Sequence, residues 1–131
     1  MAATDREILI VDDEEPIRLA LREYLIHQGL EVTCAGEVEE AKALLGAHQY
    51  SVAIVDLRLS GSCSFEGLEV LSSIREKSPD TRTVLLSAHI SPEAEKTASS
   101  LGVDVVLHKP TPLSGVADIV FELISHQSLA I

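Results

Sequence analysis

The chain has 131 residues, of which 46% are hydrophobic and only 3% aromatic, so one domain with an aliphatic core is expected. Lys and Arg number 10 against 21 Asp and Glu, and the formal net charge of −11 argues against nucleic-acid binding and against docking on an anionic membrane. The polar stretch before Ile8 lacks the basic and apolar parts of a signal peptide, and no apolar run approaches the ~20 residues of a membrane helix.

Strand-like and helix-like segments alternate along the chain. Strands are predicted at residues 8–11, 30–34, 51–55, 83–86 and 103–107, and helices at residues 16–28, 38–47, 66–77, 92–101 and 113–126. The first helix places Ile17, Ala20, Leu21, Tyr24 and Leu25 on one face. Strict alternation of this kind predicts a parallel sheet with helices on both of its faces. Residues 1–131 are expected to form a single domain with a core of about residues 7–126.

Polar residues follow four of the predicted strands at the point where each strand ends. These residues are the pair Asp12-Asp13, then Asp56, Ser87 and Lys109. Ligands of an open parallel sheet bind outside the carboxyl ends of its strands. If the four strands are neighbours, three carboxylates, one hydroxyl and one ammonium converge on a single pocket. That set suits a divalent cation beside a phosphoryl group.

Each member of this set has a plausible chemical role. Adjacent carboxylates such as Asp12 and Asp13 repel each other unless a cation lies between them, and Mg²⁺ prefers hard oxygen ligands. Asp56 beside Mg²⁺ can attack a phosphoryl group and form an aspartyl-phosphate. The Ser87 hydroxyl can donate to a phosphate oxygen, and Lys109 can neutralise a phosphate or pair with Asp56. A cis bond between Lys109 and its neighbour proline would aim the lysine side chain inward.

Taken singly, the same residues have structural interpretations. Acidic residues favour the first turn of a helix, an aspartate can form an Asx turn, a serine can cap a helix, and most lysines are solvated. Their shared position at strand ends, in the order acid pair, acid, hydroxyl and lysine, favours the phosphoryl site.

The segments ILIVDDEEPIR, VAIVDLRL, VLLSAH and LHKP together resemble the motifs of response-regulator receiver domains from two-component signalling. The resemblance covers about residues 7–126. It implies a flavodoxin-like, doubly wound α/β fold, with a five-stranded parallel sheet in the order 2-1-3-4-5 and five helices. It also implies a signalling switch rather than an enzyme, with only self-phosphorylation and autodephosphorylation chemistry of its own.

The resemblance assigns a role to each residue of the site. Asp56 would accept a phosphoryl group from a histidine kinase or phosphotransfer protein. Mg²⁺ would be bound by Asp13 directly, by Asp12 largely through water, and by Asp56 and the backbone carbonyl of Arg58. Lys109 and Ser87 would hold the phosphoryl oxygens. Partner binding would change at the face of the fourth helix, fifth strand and fifth helix, about residues 91–126, toward an unknown downstream protein or output domain.

The expected compartment is a bacterial cytoplasm. Two-component systems are mainly bacterial, and the two cysteines, Cys34 and Cys63, match no metal-ligand spacing and indicate reduced thiols.

Two positions depart from the family pattern. Val106 stands where many receivers carry Tyr or Phe as part of the switch. The loop after Asp56 has Ser60 in place of the usual proline, and Gly67 is the matching glycine, which implies an insertion of about three residues in a surface loop.

Three alternative functions stay open. A degenerate receiver could act as a phosphorylation-independent interaction module, which Val106 favours and the complete site disfavours. A haloacid-dehalogenase-type enzyme would normally have a second Asp where this chain has Arg58. A flavodoxin needs a phosphate-binding first loop, whereas the acidic run that begins at Asp12 would repel phosphate without a metal.

Overall fold

The structure is a computed structural model that describes residues 6–57 and 66–129, with side chains described up to residue 125. Five strands alternate with five helices: β1 (Glu7–Val11), α1 (Glu15–His27), β2 (Glu31–Ala35), α2 (Val38–Ala47), β3 (Val52–Asp56), α3 (Glu66–Lys77), β4 (Arg82–Ser87), α4 (Pro92–Ser100), β5 (Val105–His108) and α5 (Leu113–Leu129). The predicted alternation is confirmed. In the described part of the chain no helix is long and apolar enough to cross a bilayer.

All strand pairs are parallel, and the sheet order is β2-β1-β3-β4-β5, which confirms the flavodoxin-like order expected from the resemblance. The register pairs Val11 with Val55, Asp56 with Leu86, and Ser87 with His108. The residues that follow β1, β3, β4 and β5 therefore come to one edge of the sheet. This carboxyl edge holds the polar residues singled out above.

Two apolar clusters lie on opposite faces of the sheet, because successive side chains of a strand point to opposite faces. One cluster joins Leu9, Val55 and Leu85 to residues of α2, α3 and α4. The other joins strand residues such as Ile10 and Ile54 to α1 and α5. All five residues of β3 are buried, so Asp56 stands at the end of a rigid central strand.

The predicted inward face of α1 is only partly correct. Leu21 and Leu25 are buried, but Ile17 is 38% exposed and Ala20 is also exposed. Helix α1 begins at Glu15, just after β1 ends at Val11, so its first turn stands at the carboxyl edge, where the strands that would cover it have ended.

Helix α4 begins as the sequence predicts. The Ser91 side chain accepts a hydrogen bond from the Ala94 N–H at 3.1 Å, and Pro92 occupies the first helical position. Gly102 follows the helix with a φ of +82°, a conformation that favours glycine.

Candidate functional site

Three aspartates meet at the carboxyl edge. Asp12 and Asp13 follow β1, and Asp56 is the last residue of β3. One carboxylate oxygen from each lies within 4.8 Å of those of the other two. The Asp12 and Asp56 side chains are only 3% and 8% exposed, and Asp13 is half-buried. Carboxylate oxygens at this spacing could hold Mg²⁺, which prefers hard oxygen ligands, usually binds one or two carboxylates directly and keeps waters at its other positions.

Backbone hydrogen bonds fix Asp12 in place. Its N–H donates to the Ala35 carbonyl at 3.0 Å, which continues the pairing of β1 with β2. Its carbonyl accepts from the Arg18 guanidinium at 2.8 Å, and its Oδ1 accepts from the Glu14 N–H at 2.9 Å. The remaining carboxylate oxygen, Oδ2, faces Lys109.

The ammonium of Lys109 lies among three carboxylates. Its Nζ is 3.1 Å from Asp56 Oδ2, 3.3 Å from Asp12 Oδ2 and 3.3 Å from Glu14 Oε1. The Lys109 N–H donates to the Ser87 carbonyl at 2.8 Å, and the peptide bond to Pro110 is cis. Lys109 is thus anchored on β4 through its backbone and reaches across to β1 and β3 with its side chain.

Among the described residues of the site, carboxylates outnumber cationic groups. Burial alone would lower the pKa of Lys109, but the Asp12 and Asp56 carboxylates outweigh it and raise this pKa above the ordinary lysine value. Burial and the neighbouring charge of Asp12 raise the pKa of Asp13. Lys109 therefore stays cationic, and Asp13 ionises less readily than an ordinary aspartate until a second cation approaches.

Ser87 lies at the same edge, at the end of β4, and is buried. Its hydroxyl donates to the His89 carbonyl at 2.7 Å and accepts from the His89 N–H at 3.2 Å. In this arrangement Ser87 closes the turn after β4. Ser87 thus has the structural role of a turn residue. It also lies near Asp56, because the preceding residue, Leu86, pairs with Asp56 in the sheet.

Gly67 holds the end of the loop that follows Asp56. Its N–H donates to the Leu57 carbonyl at 2.9 Å. A Cβ at this position would lie 2.3 Å from the Asp56 carbonyl oxygen and 2.7 Å from the Leu57 Cα, so only glycine fits. Arg58, Ser60 and Cys63 lie outside the described residues.

Sequence reasoning missed one contact of the site. The carboxylate of Glu14 reaches Lys109, whereas the sequence indicates no more than an acidic residue near the start of a helix. The signal was the acidic run from Asp12 to Glu15, in which residue type alone does not show which acid turns back over the pocket.

Val106 is half-buried and packs on the side of α3 and α4.

A groove of about 630 Å³ lies at the opposite, amino edge of the sheet, between α3 and the end of α4. Two arginines and two aspartates line it, so its charges balance. Of these, Arg82 lies 3.2 Å from Asp104, which also accepts from the Thr83 N–H at 2.8 Å. This groove therefore presents no counterpart to the charge excess at the carboxyl edge.

The family model of the response regulator receiver domain matches residues 8–120. The chain belongs to this family. Photosynthetic apparatus regulatory protein RegA of Cereibacter sphaeroides is 34% identical over 112 residues, which cover 86% of this chain and 59% of RegA. The chain thus spans about three-fifths of the length of this curated relative.

Solved structures support the same assignment. The response regulator TrrA of Thermotoga maritima in complex with Mg²⁺-BeF is 32% identical, with a TM-score of 0.77, and the match covers 90% of this chain and 98% of TrrA. A CheY-like receiver domain of Methanospirillum hungatei has a TM-score of 0.89 over 95% of this chain and 97% of that one, and at 24% identity it supports the fold alone.

Membership of the family indicates the general class of function. Receiver domains are signalling switches rather than classical enzymes, and they interact with histidine kinases and downstream effectors. The receiver domain described here combines that fold with an acidic cluster at the carboxyl edge of its sheet.

Proposed function

We propose that this receiver domain accepts a phosphoryl group on Asp56 from a histidine kinase or a phosphotransfer protein, in a reaction that needs Mg²⁺. The clustering of charged groups around Asp56 carries the proposal. One carboxylate oxygen each of Asp12, Asp13 and Asp56 lies within 4.8 Å of the others, and the ammonium of Lys109 is 3.1 Å from Asp56. A nucleophile, a cation site and a fixed positive charge therefore share one pocket.

Asp12, Asp13 and Asp56 would hold the Mg²⁺, and we propose the backbone carbonyl of Arg58 as a further ligand. The bound ion supplies positive charge that neutralises phosphoryl oxygens and the crowded carboxylates. The raised pKa of Asp13 fits this role, because a cation beside Asp13 would remove the repulsion that opposes its ionisation.

A carboxylate oxygen of Asp56 would attack the phosphorus atom while the bond from phosphorus to the donor breaks and the leaving group takes its electron pair. Lys109 is already within 3.1 Å of Asp56 and stays protonated, so it can donate to a phosphoryl oxygen next to Asp56. The Ser87 hydroxyl would serve a second phosphoryl oxygen by turning its donor away from the His89 carbonyl.

The domain proposed for this role is residues 1–131, with a core of about residues 7–126. We place it in a bacterial cytoplasm, in line with bacterial relatives such as RegA. Its signal would pass to a downstream protein or to an output domain through the face of α4, β5 and α5. The chain spans only 59% of RegA, so the downstream partner of this chain is proposed by class and not taken from RegA.

A phosphorylation-independent interaction module is the second candidate. Val106 favours it, since this half-buried position carries no aromatic side chain that could change rotamer with the state of Ser87. The acidic cluster around Lys109 favours the phosphorylated switch, because an interaction module has no need of crowded, buried carboxylates.

The test is a reaction with acetyl phosphate or beryllofluoride with and without Mg²⁺, followed by intact mass and amide spectra. The expected result is a Mg²⁺-dependent adduct in the wild-type chain and none in Asp56→Asn, with spectral shifts that spread from the site to α4. Asp118→Asn, on the exposed face of α5, removes a carboxylate elsewhere and should load like the wild type. Absence of an adduct and of Mg²⁺ binding in the wild-type chain would favour the interaction module.

A further inference from the structure

Glu14 contacts Lys109 although neither the fold nor the proposed metal site requires it to. Its Oε1 lies 3.3 Å from the Lys109 Nζ, and its side chain is 56% exposed. Glu14 precedes α1 at the N-cap position, yet its side chain makes no capping hydrogen bond. Its N–H is held by Asp12 Oδ1 at 2.9 Å, so its backbone is fixed beside the pocket.

The three carboxylates around Lys109 match the three donors of an ammonium group. Asp56, Asp12 and Glu14 accept at 3.1 Å, 3.3 Å and 3.3 Å. A phosphoryl oxygen can therefore gain a donor from Lys109 only if one of these contacts is given up. The Asp12 and Asp56 side chains are 3% and 8% exposed, whereas water can replace Lys109 at the exposed Glu14 carboxylate.

We propose that Glu14 is a positioning residue, which holds Lys109 in the unloaded receiver and releases it when a phosphoryl group arrives. This inference rests on the proposed function. Glu14 then competes with the incoming group for one donor of Lys109 and slows loading. Once the group is bound, Lys109 has left Glu14, so the loss of the group is independent of Glu14.

The experiment compares loading and decay in four chains: wild type, Glu14→Gln, Glu14→Asp and Glu15→Gln. Glu14→Gln removes the charge and weakens the contact. Glu14→Asp keeps the charge but is one methylene shorter and loses the contact. Glu15→Gln removes a charge one residue away, from a 73% exposed side chain that lies 4.0 Å from Arg18.

Loading is measured as the rate of Mg²⁺-dependent adduct formation with acetyl phosphate, and decay as the rate of adduct loss after the donor is removed. Because exposed ion pairs are weak, we expect both Glu14 variants to load about twofold to fivefold faster than wild type. The decay rates should be unchanged, and Glu15→Gln should load like the wild type. A purely structural role of Glu14 would change loading and decay together.

Two results would overturn the proposal. Equal acceleration by Glu15→Gln would show that only net charge matters. A wild-type loading rate in Glu14→Asp, with faster loading in Glu14→Gln, would show that the charge acts without the contact.

A second measurement tests the contact between Glu14 and Lys109 independently of phosphoryl acceptance. It follows by NMR the CH₂ group next to the Lys109 ammonium, in the unloaded chains without Mg²⁺. The signal of this group should shift in both Glu14 variants and stay in place in Glu15→Gln. If the wild-type chain forms no adduct, the proposed phosphoryl acceptance fails and the release step fails with it. If the adduct forms but the Lys109 signal is unchanged in Glu14→Gln, the contact itself is refuted while the proposed function stands.

Discussion

The two edges of the sheet differ in how their charged side chains are paired. At the amino edge, Asp104 accepts from the Thr83 N–H and from Arg82, and its own N–H donates to the Thr83 hydroxyl at 3.3 Å. At the carboxyl edge, Asp12, Asp56 and Glu14 share the one ammonium of Lys109, and Asp13 lies beside them.

The difference separates a network of paired charges from a cluster of crowded carboxylates. Matched pairs such as Arg82 with Asp104 tie β4 to the segment before β5 and leave little charge for a ligand. Crowded carboxylates lower the stability of the fold, since desolvated like charges repel, and a bound cation can reduce that repulsion. The amino edge therefore contributes to holding the fold, and the carboxyl edge carries the crowded carboxylates that the proposed cation site requires.

Loss of the ammonium should give the largest effect. Lys109→Met leaves the buried Asp12 and Asp56 carboxylates without this counterion, and we expect the free energy of unfolding to fall by about 3 kcal/mol without Mg²⁺. Added Mg²⁺ should recover part of this loss, because it binds the folded chain. Denaturant titration with and without Mg²⁺ measures both, with the exposed Lys96→Met as control. Equal stability of Lys109→Met and wild type would show that the carboxylates at the carboxyl edge do not depend on this counterion.

The amino edge should show a smaller effect and no functional consequence. Asp104→Ala leaves the buried Thr83 N–H without its acceptor, so we expect a loss of about 1–2 kcal/mol in the free energy of unfolding. The rate of Mg²⁺-dependent loading should not change. Glu122→Ala, on the exposed face of α5, serves as the matched control. A slower loading rate in Asp104→Ala would show that the two edges are coupled.

The smallest effect has the opposite sign. The pKa of Asp13 is raised in the folded chain, so its contribution to stability is full below the ordinary carboxyl pKa of 3.8 and is lost as pH rises through the raised value. Asp13→Asn should therefore raise the free energy of unfolding slightly near pH 7 without Mg²⁺.

This gain should disappear in strongly acidic buffer and shrink when Mg²⁺ is added. Denaturant titrations at the two pH values test it, with Asp118→Asn as a control that lacks a crowded neighbour. A less stable Asp13→Asn chain at pH 7 would mean that the Asp13 carboxylate is not repelled in the fold.

Most of the fold could be predicted because its strands are short apolar runs and its helices have regular apolar spacing. The bounds of α2 and α3 agree with prediction, and α4 begins at residue 92 as predicted. The meeting of Asp12, Asp13 and Asp56 followed from the rule that ligands bind at the carboxyl ends of parallel strands. Strand order required the family resemblance, since any order of β units satisfies the periodicity.

The details that escaped prediction depend on what surrounds a residue rather than on its type. Ile17 has helical spacing but is exposed, because the first turn of α1 lies at the carboxyl edge, past the end of β1. Glu14 turns toward Lys109, and Ser87 bonds to the turn at His89. Each of these outcomes depends on competing tertiary contacts, which periodicity does not encode.

The close approach of Gly67 to the end of β3 bears on how such a chain can change in evolution. The hydrogen bond from Gly67 to Leu57 pins both ends of the intervening loop, so residues can be added between them while Asp56 keeps its position. One residue inserted within β3 would instead turn Asp56 to the opposite face of the sheet. Relatives of this chain can therefore differ in the length of this loop, whereas a change in the length of β3 would displace Asp56.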